Sequence, residues 1–364
     1  MFQIIRRWLG FSGPPRPPAS GPTVNPTQTP DSADPVAGQV THASVVTTPL
    51  QTAQDPAVSP PVRSERAPLA PASTGARPDP ESDLDRPSLG VRYRKPIGSW
   101  AYLLQDIDVV RIGKLDVDLM VVDYSPDGSA GRAFGTADVS RMKGRPNAGR
   151  KQVIAYMSIG EAESYRYYWS KDWQRKDRKP DWLGHENSDW EENYKVHYWD
   201  PGWQHIIFGS RQSYLDRIIA AGFDGAYLDI VDAYEYYERQ RPSAREDMIA
   251  FVTALANYAR QKRPDFMIIP QNGESLLQSE AYRSVISAVA KEDLYYGVDA
   301  DEKANSAKET ATSLAMLELA RKDGIPVMVV EYLDDSAKIK KVHGALTLLG
   351  YCAYFAPRER DDVR

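Results

Sequence analysis

From Tyr93 onward, short apolar runs alternate with longer stretches in which apolar residues return every three or four positions. Runs of four to six such residues, bounded by turn formers, predict buried parallel strands better than helices. They fall at Leu119–Asp123, Val153–Ser158, Val196–Trp199, Ala226–Asp229, Met267–Pro270, Ile286–Ala290, Val327–Glu331 and Tyr351–Phe355. A ninth apolar piece, Ser99–Leu104, is expected to lead into the sheet or to plug it. Between the runs, Asp200-Pro201 reads as an N-cap followed by proline at the first helical position, with Ile206, Ile207, Leu215, Ile218 and Ile219 supplying an apolar face. Ser243–Arg260 and Ser306–Lys322 carry the same helical spacing. Eight strands alternating with helices predict an α/β fold, a single (β/α)8 TIM barrel over residues 93–364. A doubly wound open sheet is the alternative. It would normally carry a glycine-rich phosphate loop after its first strand, and neither Gly-x-Gly-x-x-Gly nor Gly-x4-Gly-Lys-Ser occurs.

The first 92 residues have a different composition. From Gly13 to Pro87 the chain is dominated by Pro, Ala, Ser, Thr and Asp, with Pro14-Pro15, Pro17-Pro18 and Pro60-Pro61 among its dipeptides. Such a segment buries too little apolar surface to offset its ordering entropy, so residues 1–92 are expected to be a disordered tail or linker. Met1–Gly10 places an Arg pair between apolar residues and lacks the uninterrupted apolar region of a clear signal peptide. A proline-rich arm fits a position outside the cytoplasm better than one inside it. No run reaches the ~18 apolar residues of a membrane span, and a net charge of −5 does not favour nucleic acid as a partner. Cys352, the single cysteine, sits in an apolar run and is expected to be a buried hydrophobe. A monomer without cofactor or metal is expected.

Six of the eight strand ends carry an acid at or just beyond the tip: Asp123, Glu161 with Glu163, Asp229, Glu274, Glu292 with Asp293, and Glu331. Helix N-termini attract some acids to such places. Six is more than capping explains, and in a parallel barrel these ends converge on the ligand. Many aromatics accompany them, including Tyr156, Trp199 and Tyr332. A carboxylate-floored pocket with aromatic walls suits a sugar, whose ring faces stack while its hydroxyls need charged acceptors. Half or more of these aromatics are expected to be packing residues. Tyr227 is expected to be one of them, facing away from Asp229.

The motifs Tyr156–Arg166, Gly222–Glu235, Pro270–Glu274, Glu292–Gly297 and Val330–Tyr332 together resemble glycoside hydrolase family 114, the endo-α-1,4-polygalactosaminidase-like proteins. The branch with Ser-Ile-Gly-Glu-Ala-Glu is most similar, and the resemblance runs from about Trp100 to Pro357. It implies a (β/α)8 barrel that cleaves α-1,4-linked galactosamine-type polysaccharide. Carried onto this sequence, the catalytic positions are Asp229 and Glu292, with Glu274 as the competitor for the second. Asp123, Tyr156, Glu161, Trp199, Asp232, Gln271, Asn272, Glu274, Glu331 and Tyr332 are expected to bind substrate. Glycoside hydrolysis needs one carboxyl group to protonate the leaving oxygen and an ionised one to attack or to activate water. A metal-dependent hydrolase using the same acids and a non-catalytic polysaccharide-binding protein are the alternatives. Trp173–Trp190 reads either as a mobile lid or as a packed surface loop.

Overall fold

The computed structural model describes residues 97–146 and 149–356, so the expectations for residues 1–92 lie outside the described residues. Eight short apolar runs become parallel strands: β1 (Trp100–Leu103), β2 (Leu119–Val122), β3 (Gln152–Ser158), β4 (Gly225–Asp229), β5 (Met267–Pro270), β6 (Val289–Glu292), β7 (Val327–Glu331) and β8 (Cys352–Phe355). Their near-continuous burial is what covering a parallel sheet on both faces requires. Strands β1 to β5 form one ladder in sequence order and β6 to β8 another. A parallel bridge between Gln271 and Ala290 joins β5 to β6. The Trp100 indole donates to the Cys352 carbonyl oxygen at 3.0 Å, tying β1 to β8. Rings of Tyr102 on β1 and Tyr227 on β4 lie 5.2 Å apart although two strands separate them in the ladder. That contact crosses the interior, so the sheet closes on itself as a (β/α)8 barrel.

The helices wrap this ring for local reasons. α1 (Val109–Lys114) is capped by the Asp108 side chain and is followed by α2 (Thr136–Met142). α3 (Pro201–Ile207) starts at the Asp200 cap, as its sequence predicts, and α4 (Tyr214–Ala221) ends on Gly222 at φ +91°. That left-handed residue turns the chain sharply into β4. After the short α5 (Ala233–Tyr237), α6 (Ala244–Lys262) buries Met248, Phe251, Val252, Leu255, Ala256 and Ala259 along one stripe. α7 (Glu280–Val285), α8 (Ala307–Lys322, with a Ser306/Glu309 capping box) and α9 (Ser336–Leu349) complete the connections.

Two expectations about the strands are corrected. Ser99–Leu104 contains barrel strand β1 and is not a plug. Val196–Trp199 is not a barrel strand, because β3 and β4 pair directly, Ser158 opposite Asp229, and leave no edge for another. Asn193–Val196 instead pairs antiparallel with Glu161–Glu163 and Leu183–Glu186 in a three-stranded excursion between β3 and β4. The barrel still has eight strands, with one member exchanged. Trp173 and Trp182 anchor the segment Trp173–Trp190 in this excursion through ring contacts with each other, Trp169 and Trp203 at 5.0–5.2 Å, while residues 174–179 and Trp190 are exposed. Tyr227 is core as expected, but on the interior side that it shares with Asp229, since residues two apart on a strand face the same way.

Candidate active site

Asp229 is the last residue of β4, and its carboxylate is held from three directions. Tyr156 donates its hydroxyl to Oδ2 at 2.7 Å, while the Gln271 amide (3.2 Å) and the Ile230 backbone N–H (2.9 Å) donate to Oδ1. Ile230 has φ +59°, an unfavourable backbone region for a β-branched residue, so the turn that carries Asp229 stores strain. Glu292 ends β6. It accepts from the Asn272 amide at 2.9 Å on Oε1 and from the Tyr332 hydroxyl at 3.1 Å on Oε2. Each carboxylate therefore has one phenol and one carboxamide, drawn from neighbouring strand ends.

Both acids line a cavity of about 590 Å³ at the C-terminal end of the barrel, within the usual size of a small-ligand site. Asp123, Tyr156, Glu161, Asp232 and Asn272 also line it. Gln271 and Tyr332 are buried off the cavity wall and donate hydrogen bonds to Asp229 and Glu292 respectively. Glu331 is fully buried. Both of its oxygens accept backbone N–H bonds, from Tyr295 at 2.8 Å and Tyr296 at 3.2 Å, and it braces the loop after β6. Glu274 borders a smaller side pocket, where Ser313 donates to it at 2.5 Å and Lys291 lies 3.6 Å away. Trp199 stacks on His197 at 5.0 Å and meets Tyr237 edge-on at 4.8 Å, off the cavity wall.

Several cavity residues escaped the sequence reading. Arg166 is buried and clamps Glu163 (Nε to Oε2, 2.7 Å) to Asp123 (Nη2 to Oδ2, 2.8 Å), linking the excursion to the tip of β2. Glu161 and Glu163 are two apart on one strand, and this period-two spacing is the signal that both face the cavity. Lys291 donates to Asn272 Oδ1 at 3.2 Å and so fixes which end of that amide faces Glu292. Asn187, which donates to Glu161 at 2.9 Å, arrives from 26 residues away and had no local signal.

Electrostatics divide the acids. Burial pushes the Glu161 carboxyl up to about 7, only partly offset by the Lys195 ammonium 3.7 Å away. Burial, then the charges of Glu235, Asp229 and Glu292, raise the Asp232 carboxyl well above the carboxylate range. Burial also lifts Glu331 to about 8. Against the same burial, Lys291 and Ser313 hold Glu274 below its ordinary value. Among the described residues, no group of three or more His, Cys, Asp or Glu side chains is arranged to hold a metal ion.

A (β/α)8 barrel with carboxylates on separate strand tips around a sugar-sized cavity is an arrangement that glycoside hydrolases use. The model of the glycoside-hydrolase family GH114 matches residues 87–364, and the chain belongs to that family. It is 39% identical over 277 residues to an uncharacterized protein of Methanocaldococcus jannaschii, covering 72% of this chain and 76% of the relative. A Thermotoga maritima protein is 38% identical over 248 residues, 66% of this chain and 73% of its own. The glycoside hydrolase domain of PelA from Pseudomonas aeruginosa superimposes with a TM-score of 0.56 at 17% identity, over 73% of this chain and 97% of that domain. This last likeness speaks for the fold alone. The protein is thus a glycosidase with a carbohydrate substrate.

Proposed function

We propose that the enzyme cleaves α-1,4-linked galactosamine-type polysaccharide and that Asp229 and Glu292 are its catalytic pair. The observation carrying this reading is the matched support of the two acids, each fixed by a tyrosine hydroxyl and a carboxamide at the edge of one cavity. Positioning of that kind keeps both groups aimed at a substrate before it arrives. Asp229, with three donors, takes the ionised role, and Glu292 protonates the leaving oxygen. The cavity lining contains nine carboxyl groups against two basic side chains, Arg166 and Lys291, each already engaged by an acid. Even with the Asp232 and Glu161 carboxyls raised, the remaining acids outnumber the two cations, and a net negative field favours a cationic sugar such as galactosamine over a neutral one.

The test is reducing-end release from de-N-acetylated and acetylated galactosaminogalactan with a chelator present. Wild type should prefer the de-N-acetylated polymer, and Asp229→Asn and Glu292→Gln should each lower kcat about 10³-fold or more while keeping the wild-type melting temperature. Normal cutting by Glu292→Gln would remove that residue from the pair. Preference for the acetylated polymer would overturn the amine reading.

A further inference from the structure

Large apolar side chains are exposed at four of the described positions, Val110, Tyr165, Trp190 and Leu348. Two of the four are aromatic, and both line the cavity that holds Asp229 and Glu292. Leaving so much apolar surface in water has a cost, about 25 cal/mol for each Å². Single exposed apolar residues such as Val110 and Leu348 are ordinary on a protein surface, but two aromatic ones on the rim of one cavity form a pair that a bound ligand would cover.

The Tyr165 ring is fixed before any ligand binds. Its hydroxyl donates to Glu163 Oε1 at 2.5 Å, and the Arg166 guanidinium lies 4.8 Å from the ring centroid. Gly128, at φ +73°, backs the ring so closely that a Cβ there would lie 2.7 Å from Cδ2. These contacts leave 40% of the residue open. Trp190 is 50% exposed in the turn before Asn193, whose N–H donates to the Trp190 carbonyl at 3.3 Å. Both rings belong to the excursion between β3 and β4, so one inserted element provides both. A pyranose offers apolar C–H faces that stack on aromatic planes, and a pre-fixed ring loses little entropy in binding one.

We infer that Tyr165 and Trp190 are stacking platforms for sugar units flanking the acid pair, and that they set the chain length the enzyme grips. Bond cleavage itself stays with the carboxylates. This inference deepens the function proposed above and rests on it.

Tyr165→Ala and Trp190→Ala in the full chain, assayed on galactosamine oligosaccharides of increasing length and on the polymer, test it. Each substitution should raise KM for the polymer about tenfold with kcat within about twofold, and the gain in kcat/KM with chain length should stop at shorter oligomers. Leu348→Ala, on α9 and away from the cavity, should leave both constants unchanged. Melting temperatures confirm that the variants fold. An unchanged KM, a loss equal at every chain length, or a loss confined to kcat would each overturn the platforms. Wild-type turnover of the galactosamine polymer reports on the proposed substrate, whereas the variant-to-wild-type ratio, taken on whichever polysaccharide the wild type cleaves, reports on the platforms, so the two readings fail separately.

Discussion

Glu161 illustrates how far a single side chain can be moved from its solution behaviour. It is 2% exposed, and burial raises its carboxyl to about 7 from 4.5. The folded state therefore holds the proton more tightly than the unfolded chain. The resulting stability is complete below the ordinary carboxylate range and is lost as pH rises through about 7. Urea midpoints should accordingly fall between about pH 5 and pH 8, and Glu161→Gln, which cannot ionise, should flatten that slope. An equally steep slope in the variant would assign the effect to another acid, with Glu331 first to be examined because burial raises it to about 8. At this scale the sequence shows which residues are acids at strand tips. It does not distinguish Glu331, which is sealed under the β6 loop, from Glu292, which faces the cavity. Both end a strand, and only the packing of neighbouring loops separates them.

Among the elements, the turn after β3 and the turn after β4 depend on each other. The Ile159 N–H donates to the Asp229 carbonyl at 3.1 Å, and a Cβ on Gly160 would lie 2.1 Å from the Ile230 carbonyl oxygen. Backbone cannot yield as a flexible side chain would. Gly160→Ala should cost about 1–3 kcal/mol in denaturant unfolding and lower kcat, because the displaced residue follows Asp229 directly. A variant with wild-type stability and activity would mean that the two turns move apart freely. The excursion that begins just beyond Gly160 was only half legible. Its run Val196–Trp199 looked like a barrel strand because periodicity reports burial and not the partner. Only its first residue, Val196, lies in a strand, Asn193–Val196, which pairs antiparallel within the excursion that brings Asn187 and Trp190 to the cavity.

For the whole molecule, the match to the family begins at residue 87, ten residues before the described fold. A chain beginning at Pro87 should keep the melting temperature and the glycosidase activity of the full protein; loss of either would make the proline-rich segment part of the folded unit. Parallel class and the ring of acidic tips were legible in the sequence, whereas the count of eight strands held only because the wrong inclusion of Val196–Trp199 offset the exclusion of Ser99–Leu104. Burial on both faces leaves uninterrupted apolar runs, and a parallel barrel must place its functional groups where those runs end. Tertiary structure alone decided which acids share the cavity, which phenol and amide hold each of them, and that Arg166 joins Glu163 to Asp123. Those pairings connect residues up to 73 positions apart, as Tyr156 and Asp229 are. They exist because closing the ring brings separate strand ends within hydrogen-bonding distance, a constraint that no local stretch of sequence expresses.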